Sequence, residues 1–184
     1  MALQSQQFSA PDEFERLYVR PKAGRTLIVG SYITKGKPDR RARHADAVGI
    51  DMRDGPGVDR VIDAHDPAVL ALGQFDHIEC TSVLEHSSRP WLVAENLQRL
   101  MVPGGTIFVT TPFVWPVHEY PGDFWRMTTE AFRVLFPGVA WDKLIYGNFQ
   151  LDVDVRRQKI RGTHGLNFFP RTETLGFGRL ACTS

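Results

Sequence analysis

Gly30 and Ser31 follow a short apolar run, Thr26-Leu-Ile-Val. A glycine at the tip of a strand makes a turn with no side chain in the way of a ligand. About twenty residues later, Asp51 closes a second apolar run, Ala47-Val-Gly-Ile. A carboxylate at that place can accept two hydrogen bonds from a ribose diol. Together the two features point to a ligand that contains a nucleoside. His86 and His118 offer bases matched to neutral pH; His118 is the first candidate and His86 the second. Trp115, Tyr120, Trp125, Asp123 and Arg126 fall in one segment. The aromatics could wall an acceptor or pack that segment onto a sheet. Arg126 could meet an acidic substrate group or pair with Asp123.

Other chemistries find little support. His77 and Cys80 lie an odd number of positions apart on one predicted strand, so they point to opposite faces. No metal centre is therefore expected there or elsewhere. His118-Glu119 lacks the second histidine of a zinc-protease helix. There is no Gly-x-Ser-x-Gly elbow and no phosphate loop of the Walker kind.

The elements that must carry these residues can be read from apolar runs and punctuation. Strands are expected at 26–30, 47–51, 58–62, 75–80 and 106–110, with two more near 143–146 and 173–180. The charged stretch 35–45 allows only a short helix, and Pro67 to Leu72 suits one or two helical turns. Ser88 is read as the cap of a helix with Pro90 in its first turn and Val93, Leu97, Leu100 and Met101 on one face. Pro103-Gly104-Gly105 then stops it. Thr128 caps a later helix with Glu130 in its first turn and Phe132, Leu135 and Phe136 as its apolar stripe. Alternation of strands and helices predicts an α/β, Rossmann-like doubly wound domain. Its sheet is mostly parallel, with helices on both faces and an antiparallel C-terminal strand. Residues 1–25 are expected to be a lead-in helix and 26–184 a single domain.

With 184 residues, 42% hydrophobic and 23% charged, the chain fits one globular domain. A net charge of +1 gives no global pull toward nucleic acid or an anionic membrane. The basic stretch Arg156, Arg157, Lys159 and Arg161 reads as a solvated loop. Two cysteines make no disulfide framework, no apolar run is long enough to span a bilayer, and the first residues carry no signal-peptide core. A cytoplasmic setting is expected.

The run Phe75 to Pro112, FDHIECTSVLEHSSRPWLVAENLQRLMVPGGTIFVTTP, resembles class I S-adenosylmethionine-dependent methyltransferases. The likeness rests on Phe75-Asp76, Leu84-Glu85-His86 and Leu100-Met-Val-Pro-Gly-Gly105 leading into the fifth strand. Ala47 to Asp66 and Pro112 to Phe132 resemble a small bacterial methyltransferase-type-11-like subgroup. The resemblance implies S-adenosyl-L-methionine as cofactor. Gly30 and Ser31 would line its methionine end, Asp51 would hold the ribose and Met52 would lie against the adenine. Asp63, Ala64 or His65 would meet the adenine edge, and Thr81, Ser82 and Val83 would pass under the sulfonium. It implies O- or N-methylation of a small-molecule or glycan-type acceptor. Two alternatives stay open. The family usually carries an acid where this chain has Ile28, which fits a methyltransferase-like binding or scaffold domain without activity. An NAD-dependent oxidoreductase is disfavoured by the missing Gly-x-Gly-x-x-Gly.

Overall fold

The computed structural model describes residues 23–34, 37–118, 121–147 and 173–182. Most of the expected lead-in helix, the basic stretch 156–161 and Tyr120 lie outside them.

Seven strands form one sheet in the order β3-β2-β1-β4-β5-β7-β6. They are β1 (Arg25–Val29), β2 (Asp46–Asp51), β3 (Arg60–Val61), β4 (Phe75–Thr81), β5 (Met101–Pro112), β6 (Val139–Gly147) and β7 (Glu173–Leu180). Strand β1 runs parallel to both β2 and β4, and β4 runs parallel to β5. Strand β7 is antiparallel to both its neighbours, β5 and β6. Thr26, Leu27, Ile28 and Val29 are all buried, as expected of a parallel strand covered on both sides.

The chain winds outward from β1 through β2 to β3, then returns to the other side of β1 as β4. That reversal makes the gap beyond the tips of β1 and β4 a topological switch point, the place where open α/β sheets bind ligands. The backbone there is unusual. Gly30 has φ 71°, and Ser82 at 53° is the one non-glycine with positive φ among the described residues. Holding a serine in this region costs about 1–2 kcal/mol. The Ser82 N–H donates to the Thr110 carbonyl at 3.0 Å, which pins the strained turn to β5.

Helices α1 (Pro90–Leu100) and α2 (Thr129–Leu135) pack on one face of the sheet. Val93, Ala94, Leu97 and Leu100 of α1 and Phe132 of α2 join Leu27, Val29, Ile78, Cys80, Ile107 and Val109 in the main core. The opposite face buries Phe108, Leu175 and Phe177. It is covered in part by a 3-10 turn at Arg40–Arg43, which belongs to the stretch expected to form only a short helix. Arg40 and His44 reach down from this turn to Glu79, at 2.6 and 2.9 Å. Glu79 is fully buried. Burial alone would raise its carboxyl. Hydrogen bonds from His44 and His77 and the Arg40 charge more than offset this and hold it well below the ordinary range. Glu79 is the register partner of Ile28.

The structure departs from the sequence reading in four places, the first being Met101, which opens β5 and does not join the helix face with Leu100. Strand β3 is only two residues long, since Arg60 and Val61 lie exposed at the sheet edge. Arg89, not Ser88, occupies the cap of α1, and the Arg89 N–H is instead taken by the Ser87 hydroxyl at 3.2 Å. Pro103-Gly104-Gly105 does not separate α1 from the fifth strand; it forms a bulge inside it, between the pairs Phe75–Met101 and His77–Thr106. Thr128 does cap α2, accepting the Ala131 N–H at 3.2 Å.

Candidate active site

An open cleft of about 910 Å³ lies beyond the tips of β1, β2, β4 and β5. Every residue assigned to the cofactor lines it: Gly30, Ser31, Asp51, Met52, Asp63, Ala64, His65, Thr81, Ser82 and Val83. So do His86, His118 and Trp115. Gly30 is needed where it stands. A Cβ there would come within 2.5 Å of a Val83 methyl, because the loop after β4 crosses directly over the tip of β1.

Asp51 faces the cleft from the end of β2. One carboxylate oxygen accepts the Tyr32 N–H at 3.3 Å and the other the Arg53 N–H at 3.0 Å. The Arg53 Nε also lies 3.5 Å from the second oxygen, so the Tyr32-bonded oxygen keeps the clearer acceptor capacity for a ligand. The Ser31 hydroxyl is buried with no hydrogen-bond partner among the described residues. Met52 is half exposed, and the Arg53 guanidinium stacks 4.2 Å from the Tyr32 ring. On the far side, Asp63 accepts from the His65 ring at 2.6 Å and from its backbone at 2.9 Å. Burial would raise the Asp63 carboxyl, but these bonds outweigh it and leave it below the ordinary value. Asn96 of α1 donates to the carbonyls of Ala64 and His65, so the helix fixes this loop.

The opposite wall is built from a 3-10 turn, Leu84–His86, and the segment after β5. Three hydrogen bonds join them. The His86 ring donates to the Gly122 carbonyl at 2.5 Å, the Phe124 N–H to the Glu85 carbonyl at 2.8 Å, and the Trp125 indole to the Ser87 carbonyl at 2.7 Å. The His86 and His118 rings meet edge to face, 4.8 Å apart.

The remaining acceptor-side candidates separate here. Arg126 forms a bidentate pair with Asp123, at 2.5 and 2.7 Å. It also donates to the carbonyls of Trp115 and Trp125. Asp123 in turn accepts the His118 N–H at 2.9 Å. The Arg126 hydrogen bond holds the Asp123 carboxyl well below the ordinary range. Asp123, Trp125 and Arg126 thus brace the loop and do not line the cleft, whereas Trp115 does.

Two buried carboxyls of the cleft had no site role in the sequence reading. Glu85 is fully buried, and neither carboxyl oxygen has a hydrogen-bond partner among the described residues. Burial pushes its carboxyl up to about 8, with the charges of Glu173 and Asp123 adding to the effect. Glu173, at the start of β7, is pushed up to about 7 by burial, against the lowering influence of Lys37. Glu85 sits inside the Leu-Glu-His motif, so its position was visible though its isolation was not. Nothing local marks Glu173; an antiparallel pairing of β7 with β5 brings it to the cleft.

The architecture matches solved structures over nearly its whole length. An S-adenosylmethionine-dependent methyltransferase from Mesorhizobium loti aligns with a TM-score of 0.60 at 12% identity, covering 91% of this chain and 96% of that one. The chain has the class I methyltransferase fold. The methyltransferase fold also appears in the N-methyltransferase NodS from Bradyrhizobium japonicum, solved with S-adenosyl-L-homocysteine, with a TM-score of 0.59 at 12% identity. That match covers 96% of this chain and 89% of NodS. The 4+2 cyclase SpnF aligns with a TM-score of 0.63 at 16% identity, covering 94% of this chain and 80% of SpnF. One fold thus carries more than one chemistry, and function must be argued from the site. In sequence, the ubiquinone biosynthesis O-methyltransferase of Pseudomonas aeruginosa is 36% identical over 83 residues, covering 38% of this chain and 36% of that protein. The chain therefore spans about a third of the length of the curated relatives it matches. No protein-family model matches. Among the described residues, no helix is long and apolar enough to cross a membrane.

Proposed function

We propose that the chain transfers a methyl group from S-adenosyl-L-methionine to an oxygen or nitrogen of a small-molecule or sugar-containing acceptor. The observation that carries this reading is the Asp51 carboxylate at the open switch-point cleft, with acceptor capacity to spare beside the Cβ-free turn at Gly30. The residues present suit the cofactor. Asp51 would grip the ribose diol, Met52 and the Asp63–His65 loop would flank the adenine, and the unpartnered Ser31 hydroxyl would meet the methionine end. When bound, the cofactor supplies an electrophilic methyl group on a sulfonium.

The chain's own residues do the rest. Thr81, Ser82 and Val83 form the floor under the reacting atoms, and Trp115 with the His86–His118 pair walls the acceptor side. Holding the acceptor atom in line can account for most of the rate. An acceptor hydroxyl must also lose its proton, and in the absence of a bound ion His118, or else His86, would take it.

The test is calorimetric titration with S-adenosyl-L-homocysteine and, separately, NADH. The proposal expects saturable binding of the first alone. Turnover is then sought as S-adenosyl-L-homocysteine release across a panel of hydroxyl and amine acceptors. No heat and no thermal shift with either form of the cofactor would favour the scaffold reading, and NADH binding the oxidoreductase.

A further inference from the structure

On the acceptor wall, Glu85, His86 and His118 each offer one ligand atom, and these three atoms lie within 4.8 Å of one another. Three features go beyond proximity. First, both Glu85 carboxyl oxygens are buried and lack a hydrogen-bond partner among the described residues. A buried carboxyl without partners is costly, and fixing a cation is one of the few ways to repay it. The His86 Nε2 lies 3.8 Å from Glu85 Oε1, too far for a hydrogen bond but suited to a shared ion. Second, each imidazole is oriented from behind. The His86 Nδ1 donates to the Gly122 carbonyl at 2.5 Å. The His118 Nδ1 lies 3.1 Å from the Asp123 carboxylate and 3.2 Å from the Pro116 carbonyl. Engaging Nδ1 leaves the Nε2 lone pair outward, as in metal-binding histidines backed by a carboxylate or carbonyl. Third, Asp123 is itself clamped by Arg126, so the backing group is rigid.

We propose that Glu85, His86 and His118 bind a first-row divalent cation whose remaining coordination positions face the cleft. Two imidazoles and one carboxylate suit manganese, iron, cobalt or zinc better than magnesium or calcium, which prefer all-oxygen ligands. Donors 2.0–2.2 Å from a common ion lie roughly 3–3.5 Å apart. The most widely separated pair therefore needs to close by up to roughly 1.5 Å, within reach of side-chain rotations. Glu85 and both histidines line the cleft, so the open positions meet the acceptor. The acceptor class this selects is a hydroxyl compound with a second oxygen donor nearby, able to chelate the ion. With both imidazoles ligated, the ion in place of their basicity favours loss of the hydroxyl proton, which passes to water in the open cleft. The acceptor part rests on the methyl-transfer reading; ion binding does not.

The experiment uses the full chain, stripped with chelator and titrated with Co²⁺, read by its visible absorption and by calorimetry. The proposal expects one equivalent bound. Glu85→Gln and His118→Ala should each weaken binding by more than about 100-fold, since even outer-shell partners are worth roughly 10–100-fold. Asp123→Asn should fall within that smaller range. Cys182→Ser, at an exposed thiol, should bind Co²⁺ unchanged. Glu85→Gln removes a buried unpaired carboxyl, so the apo variant should keep or raise its thermal midpoint, which separates ligand loss from misfolding. Undiminished Co²⁺ binding in both ligand variants, or no binding by the native chain at millimolar Co²⁺, overturns the site. S-adenosyl-L-homocysteine binding without Co²⁺ binding sinks the ion and leaves the methyl-transfer reading standing. Co²⁺ binding without it does the reverse.

Discussion

Replacing Asp51 by alanine tests the cofactor cradle most directly. A carboxylate oxygen accepts about two hydrogen bonds. Each Asp51 oxygen spends one on a backbone N–H, from Tyr32 or Arg53. The Arg53 Nε also lies 3.5 Å from Oδ1, so Oδ2 keeps one open position and Oδ1 would share its second between Arg53 and a ribose hydroxyl. Losing hydrogen bonds to a charged acceptor costs about 1.5–3 kcal/mol, or roughly 10- to 150-fold in Kd. Asp51→Ala should therefore weaken S-adenosyl-L-homocysteine by that factor in calorimetry. Asp51→Asn keeps one acceptor and should fall between the two. The variant also frees the Tyr32 and Arg53 N–H groups, so the ligand-free thermal midpoint must be measured alongside. Unchanged affinity in Asp51→Ala would refute the assignment of this carboxylate to the ribose.

Glu79→Gln should destabilise the fold by roughly 3–5 kcal/mol, because it breaks a buried charge pair. The folded Glu79 carboxyl is depressed, so its contribution is complete above the ordinary carboxylate pKa and is lost as pH falls toward the folded value. Denaturation of Glu79→Gln should accordingly show a shallower acid limb than the native chain. Glu173 has the opposite sign. Its carboxyl is raised from 4.5 to about 7, so stability is lost as pH rises through that window, by an amount of order 3 kcal/mol. Glu173→Gln should gain stability relative to the native chain at pH 8 but not at pH 4, and equal effects at both would contradict its burial. Gly30→Ala should cost at least about 1–2 kcal/mol from its positive φ. Pairing it with Val83→Ala should recover only the clash component, as read by urea titration. Thr128→Ala should lower stability by about 1 kcal/mol through the lost cap of α2.

What could be read from the sequence was whatever is written locally. Leu27-Ile-Val, Gly49-Ile and Ile107-Phe-Val announce buried strands because parallel strands hide both faces. The cleft residues at 30, 51, 63 and 81 followed, since strand tips in an open α/β sheet share one edge. Thr128 is a cap because its hydroxyl can reach a backbone N–H three residues on. Features decided by distant contacts were not readable. Nothing near Arg126 chooses between a substrate and Asp123, since only the folded loop brings the bidentate geometry about. The isolation of Glu85 is set by what surrounds it, not by its neighbours in the chain. The length of β3 depends on its being an uncovered edge, which two apolar residues between charges do not reveal.

Ile28 and Glu79 face each other across one rung of the ladder between neighbouring strands, which are spaced about 4.8 Å apart. Register partners share a sheet face, so a carboxylate at position 28 would stand one strand away from the one that Arg40 and His44 now hold. Ile28→Glu combined with Glu79→Ile should then restore much of the stability that Glu79→Ile alone removes. A chain lacking the customary acid on its first strand need not have lost its loop; the missing charge can be sought next door.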